Sequence, residues 1–309
     1  MMNTEKKRVI GIVGPTASGK TSLSLRVAKA LGGEIVCMDS MQIYRDMDIG
    51  TAKPTKAELS QAPHHLHSFL SPKETFSVSQ YAKRAHATIK NIETPILVGG
   101  TGMYLQSISL PMDYGAVSGD EKIRAKYHEI ADTQGVEALH ALLQACDPAT
   151  AARLHPNDVR RVVRALEIFD LTGVPMSEQK MPGPEECPYD FQLYALELPR
   201  SILYARIEQR VDEMMKDGLL EEVRALHEKG VDEEAQSMQG LGYKELLPVV
   251  KGEMPLADAV SLLKLRTRHY AKRQLTWFKR DERIQWLPWK LDMDLGQLAA
   301  MICQRYMEK

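Results

Sequence analysis

The chain has only four cysteines, Cys37, Cys146, Cys187 and Cys303, too scattered to form a CxxC pair. That spacing argues against a cysteine zinc site or a disulfide framework and points to a reducing compartment. Net charge is nearly absent too: 40 Lys and Arg face 41 Asp and Glu, leaving −1 at pH 7. No global attraction to nucleic acid follows, so any basic surface must be local. Long apolar runs are missing, since Lys6, Lys7 and Arg8 lead straight into a short stretch, Val9-Ile-Gly-Ile-Val13. Neither a secretion signal nor a membrane span fits that pattern. Internal repeats and low-complexity tracts are missing as well. The expectation is a cytoplasmic monomer without membrane association. At 309 residues and 44% hydrophobic, the chain can build cores for about two domains.

What is present begins at the end of that first apolar run. Gly14, Pro15, Thr16, Ala17, Ser18, Gly19, Lys20 and Thr21 follow it and open a helical pattern over 21–31, the strand, glycine-rich loop and helix context of a P-loop. The glycines let the backbone wrap so that successive N–H groups and a helix N-terminus face one anion. Lys20 adds a mobile positive charge, and the Thr21 hydroxyl can bind a Mg²⁺ that neutralises the same phosphates. A glycine turn before a purely structural helix is the alternative.

Two more apolar runs, 34–38 and 95–98, end in Asp39-Ser40 and in Gly99-Gly100-Thr101-Gly102. Separated by helix-period segments, they read as buried parallel strands of an α/β sheet, with all three motifs at the carboxyl ends where ligands sit. Residues 114–190 read as a mostly helical insertion, punctuated by Gly135, Asp147-Pro148 and His155-Pro156-Asn157. It divides a P-loop NTPase-like core into parts 1–113 and 191–309. Strand character returns at 191–198, a helical stretch covers 201–280, and 284–287 can add a last strand.

Asp39 can hold a metal through water, act as a general base, or simply cap a turn. The 99–102 turn lacks the strand-end Asp of many P-loop NTPases; its glycines permit a second ligand to approach, and Thr101 can hydrogen-bond it. Arg160, Arg161 and Arg164 lie along one side of a helix, with Val162, Val163, Leu166 and Phe169 opposite. They suit nucleic-acid or nucleotide phosphate, and equally a solvated face with acidic partners. Residues 259–280 carry seven Lys and Arg and no acid, with Leu263, Tyr270 and Trp277 as a heptad core stripe. Such a helix can track a phosphate backbone or spread its stems over apolar neighbours. His64, His65 and His67 lack the partners of a metal site and read as structural residues near a helix start.

Taken together, the segment 14–21, Asp39-Ser40-Met41-Gln42-Ile-Tyr-Arg45, Met47-Asp-Ile-Gly-Thr-Ala-Lys-Pro54, Pro63-His-His-Leu66, Val98-Gly-Gly-Thr-Gly102, Leu154-His-Pro-Asn-Asp158, Arg164-Ala-Leu-Glu167, Gly240-Leu-Gly-Tyr-Lys-Glu245 and Arg273-Gln-Leu-Thr-Trp277 closely resemble the bacterial tRNA dimethylallyltransferase family over nearly the whole chain. The resemblance implies transfer of a dimethylallyl group from its diphosphate to N6 of the adenosine 3′ of the anticodon, assisted by Mg²⁺. It implies that residues 14–21 and Arg210 hold the diphosphate, with Thr21 on the metal. Asp39 would be the base, and Lys20, Thr101 and Arg210 would share the catalytic work. Asp39 to Gln42, Thr101, Arg124 and Arg160 to Arg164 would hold the anticodon stem-loop, and the Gly240 and Arg273 segments would complete the tRNA surface. Eukaryotic relatives carry a zinc finger, for which no cysteine pair exists here. A P-loop kinase acting on a small molecule or nucleotide, with the arginines as a lid, and an NTP-driven RNA-binding switch are the alternatives.

Overall fold

The computed structural model describes residues 6–110, 119–179, 186–290 and 293–308. The chain divides into two compact units, one formed by 1–109 with 187–309 and the other by 110–186. In the first unit, β1 (Lys7–Val13), α1 (Lys20–Leu31), β2 (Glu34–Cys37), α2 (Lys56–Leu59), β3 (His64–His65), α3 (Val78–Asn91), β4 (Pro95–Gly99) and α4 (Gly102–Ser109) come first. The second unit holds α5 (Glu121–Gln134), α6 (Val136–Cys146), α7 (Pro148–Ala151) and α8 (Val159–Thr172). The chain returns to the first unit with β5 (Tyr189–Glu197), α9 (Arg200–Lys216), α10 (Leu219–Glu228), α11 (Tyr243–Val250), α12 (Leu256–Phe278), β6 (Ile284–Pro288) and α13 (Leu295–Met307).

The sheet is parallel throughout, in the order β3-β2-β4-β1-β5-β6. Side chains alternate between its faces. Val9 and Val13 point to one core with Val36, Leu97 and Leu193, whereas Ile10 and Ile12 join Ile35, Ile96 and Tyr194 in the other. Burial on both faces is why these strands read as continuous apolar runs. The second face is closed by α1 and α13, through Leu23, Val27, Leu298 and Ile302; α13 had no counterpart in the sequence pattern. β5 begins two residues before the expected Phe191, because Tyr189 and Asp190 pair with Lys7 and Arg8. His64 and His65 are not near a helix start. They form the edge strand β3, where His65 Nε2 lies 2.6 Å from Glu34 Oε2.

The second unit packs Tyr127, Leu139, Leu143, Ala151, Val162, Val163 and Leu166 into its own core. Among them Glu167 is fully buried. Its Oε1 accepts from Arg124 Nε at 2.7 Å and from the Asp120 amide at 2.8 Å, and its Oε2 accepts from Arg164. A buried carboxylate needs such partners, because stripped of them it would be an uncompensated charge.

Candidate active site

β1 ends at Val13, and the loop behind it takes up positive backbone φ angles at three positions. Gly14 (φ 128°), Ala17 (φ 60°) and Gly19 (φ 99°) are all left-handed or beyond, a geometry that forms anion-binding concavities. Gly19 caps α1 without a side chain, and the first turn of α1 holds no acid. The positive end of the helix is therefore left for a ligand. Ser18 Oγ is buried with no hydrogen-bond partner among the described residues, a donor left for an anion.

Two long-range contacts hold the loop. Gln274, buried on α12, accepts from the Thr16 amide at 2.9 Å and donates to the Gly100 carbonyl at 2.9 Å. Arg206 on α9 donates to the Ala17 carbonyl at 2.8 Å. Lys20 Nζ donates to the Pro15 carbonyl at 2.6 Å. Its pKa is brought down to about 7, first by burial and then by the Arg210 charge, with Asp39 opposing both. Arg210 is lowered by burial as well and supported by Asp39; its Nη1 lies 3.5 Å from Thr16 Oγ1. Lys20, Arg210 and Arg206 gather at a site whose carboxylates are Asp39, Glu58 and Glu213, and a polyanion bound among the buried cations is the ligand such a site stabilises.

This loop borders a cavity of about 400 Å³, lined by Thr16, Lys20, Thr21, Asp39, Ser40, Met41, Gln42, Gly99, Gly100, Arg210, Tyr270, Arg273 and Gln274. A second, more polar cavity of about 430 Å³ shares Lys20, Thr21 and Arg210 and adds Ala17, Ser18, Gly19, Lys53, Arg206 and Glu213. Asp39 Oδ1 accepts from the Met41 amide at 2.8 Å and the Gln42 amide at 3.3 Å. The turn-capping role is thus real, and it uses one oxygen of a carboxylate that still lines the cavity. Gln42 donates to the carbonyls of Thr51 and Ala52, both at 3.1 Å, tying the 50–54 loop to the cavity wall.

Thr101 Oγ1 accepts from the Ser40 amide at 3.1 Å, steadying the Asp39 turn, and Thr101 also bonds Tyr270, so it touches two residues of the cavity wall. Other expectations need correction. The 99–102 glycines make room for the chain itself, while Gly99 and Gly100 also line the cavity. A Cβ would meet the Met38 carbonyl at Gly99, Gln274 at Gly100 and Trp277 at Gly102. Val162 and Val163 are buried, so their side chains pack and do not face RNA. Arg124 and Arg164 serve Glu167, and Arg161 pairs with Asp158 at 3.2 Å, while Arg160 stays exposed. On α12, Trp277 is 40% exposed and not core. Three of the seven cations there are paired across to neighbouring helices: Lys264 with Asp212, Arg266 with Glu245 and Arg268 with Glu208.

Sequence patterns did not point to Gln274 as the tie on the P-loop, to Arg206, or to the cavity-lining His64, His67 and Tyr270. Burial lowers the pKa of His64 and of His67, leaving neutral rings at the wall. The one available signal was a buried-type spacing, since Gln274 lies one turn beyond Tyr270 on the same helix. Among the described residues no three His, Cys, Asp or Glu lie close enough to hold a metal. A Mg²⁺ bound mainly through phosphate oxygens needs only one or two protein ligands. The Thr21 hydroxyl, which lines both cavities, and the Asp39 carboxylate fit that role.

Fold and site together define a P-loop α/β protein whose anion cradle opens into a mixed polar and apolar cavity. Residues 42–281 match the family model described as IPP transferase. The chain is 46% identical over 312 aligned residues to a tRNA dimethylallyltransferase of Bacillus cereus, covering all of this chain and 96% of that one. A tRNA dimethylallyltransferase of a Thermoanaerobacter species is 46% identical, covering 90% and 91%. The crystal structure of a tRNA isopentenylpyrophosphate transferase from Bacillus halodurans superimposes with a TM-score of 0.73 at 39% identity, covering 98% of each chain. A eukaryotic dimethylallyltransferase captured acting on tRNA gives 0.80 at 31% identity, covering 97% of this chain and 78% of that one. The chain belongs to the IPP transferase family. No helix among the described residues is long and apolar enough to cross a membrane.

Proposed function

We propose that the protein transfers the dimethylallyl group of dimethylallyl diphosphate to N6 of the adenosine 3′-adjacent to the anticodon in tRNA, releasing diphosphate. The observation that carries this reading is the single cavity shared by the Lys20 and Arg210 cations and the Asp39 carboxylate. Full-length similarity to tRNA dimethylallyltransferases supports it. The P-loop amides, Ser18, Lys20 and Arg210 bind the diphosphate and favour the negative charge that grows as the allylic C–O bond breaks. Thr21 and Asp39, which both line the cavity, would hold a Mg²⁺, which would supply neutralising charge to the diphosphate. The N6 lone pair forms the new C–N bond, and its proton passes to the Asp39 oxygen not used by the turn. Adenine must leave its stack to reach the cavity. Incubation with labelled dimethylallyl diphosphate and unmodified tRNA, against labelled ATP, tests the reading. Prenyl transfer without ATP turnover is expected; tight ATP binding with tRNA-stimulated hydrolysis and no transfer would overturn it.

A further inference from the structure

The 46–54 loop lines the cavity with Gly50, Thr51, Ala52 and Pro54. Asp46 (φ 61°) and Ala52 (φ 49°) hold left-handed angles that residues other than glycine seldom adopt, so the loop keeps its shape only under restraint. Much of that restraint comes from α10. Glu222 Oε2 accepts from the Asp48 and Ile49 amides, both at 2.8 Å, while Oε1 accepts from the Gly50 amide at 3.0 Å and from the Tyr243 hydroxyl at 2.6 Å. A carboxylate offers about four acceptor sites, and donors of the protein fill them here. Burial, then the Glu222 charge, pushes the Tyr243 hydroxyl well above its ordinary pKa and keeps it a donor. The loop lies so close to the Tyr243 ring that a Cβ on Gly50 would come within 2.7 Å of it. On α9, Arg210, Val211 and Met214 line the same cavity, and Leu219 at the start of α10 joins them and packs on Gly242. The wall thus runs from a cation to an apolar end closed by Leu219, Tyr243 and the loop.

We propose that Glu222 is a positioning residue that sets donor specificity: by fixing the 48–50 amides against Tyr243 it closes the apolar end of the cavity and limits the donor to a five-carbon prenyl group. This rests on the prenyl-transfer reading above. A prenyl diphosphate has the same polarity as the wall, with its anion at Arg210 and its hydrocarbon along Val211 and Met214. A ten-carbon group needs the room that the loop occupies. Either donor undergoes the same exchange, in which the allylic C–O bond breaks, the C–N6 bond forms and diphosphate leaves, so length alone tells them apart.

The test compares kcat/KM for dimethylallyl and geranyl diphosphate on unmodified tRNA. The wild type should prefer the five-carbon donor. In Glu222→Gln the side chain keeps its size but has one acceptor oxygen and turns an NH₂ towards donors, which releases the loop. The preference should then fall about tenfold or more, the scale on which an apolar pocket discriminates hydrocarbon length. Glu221→Gln, at the exposed neighbour, should leave it unchanged. Leu219→Ala enlarges the same end without touching Glu222 and should shift the preference the same way, so a Glu222→Gln protein that fails to fold leaves a second measurement. A role in folding alone would lower both donors together and keep their ratio. That result, an unchanged ratio in Leu219→Ala, or equal use of both donors by the wild type overturns the proposal. Transfer of neither donor by the wild type would instead bring down the prenyl-transfer reading and the proposal with it.

Discussion

Asp39→Asn isolates proton transfer from everything else the residue does. An amide oxygen can take over both backbone bonds that Oδ1 accepts, from Met41 at 2.8 Å and Gln42 at 3.3 Å, so the turn should survive with a loss below about 1 kcal/mol. What disappears is the acceptor for the N6 proton. A positioned base contributes about 10² to 10⁴ in rate, and the single-turnover transfer rate should fall by that order. A second effect follows from Lys20. Its pKa of about 7 already includes support from Asp39, so the variant pushes it lower and leaves less of the ammonium at neutral pH. A tenfold loss of proton affinity from a pKa of about 7 cuts the charged fraction at pH 7 about fivefold. Lys20 is charged below its pKa, so donor binding in the variant should weaken at about pH 8 and recover towards about pH 6.5, while the transfer rate stays low throughout. Calorimetric titration of a non-reactive thiodiphosphate analogue and rapid-quench assays separate the two. A near-normal rate, or a rate that returns with pH or excess Mg²⁺, would refute Asp39 as the base.

Gln274→Ala leaves the Thr16 amide and the Gly100 carbonyl without partners, which should cost roughly 1–3 kcal/mol and raise the KM for the donor more than that for tRNA; unchanged steady-state constants would deny it the tie on the P-loop. Replacing Arg160 and Arg161 with alanine, while keeping Arg164 on Glu167, should reduce the log-log salt slope of tRNA binding by about 0.7 for each phosphate that is no longer neutralised. An unaltered slope would make them plain surface charges. In the helical unit, burial would raise the Asp147 carboxyl, but the Ser177 and Thr150 hydrogen bonds outweigh it and bring the pKa down to about 2. A depressed carboxyl stabilises the fold above its unfolded value and loses that contribution as pH falls from about 4 towards about 2, roughly 2 kcal/mol in all; acid unfolding of Asp147→Asn should show a shallower pH dependence there.

The amino-acid sequence by itself determined the elements whose signal is local. Residues 9–21 read as strand, phosphate loop and helix because the apolar run, the glycines and Lys20 are contiguous, and β2 and β4 were legible because strands buried on both faces are apolar throughout. β3 was not, being two histidines long at an edge, and α13 did not stand out although its apolar spacing is ordinary. The site was legible only in part. Lys20, Asp39 and Arg210 do line one cavity, but the side chains of Val162 and Val163, which neighbour the arginines in sequence, are packed into the core of the helical unit. Which arginine is free and which is bound to Glu167 depends on a carboxylate 43 residues from Arg124. The tie between Thr16 and Gln274 spans 258 residues. Periodicity reports which face of an element is apolar, yet says nothing of what is brought against it. The tertiary structure decided those pairings, because a buried polar group is worth what its partner supplies, and the partners here come from distant parts of the chain.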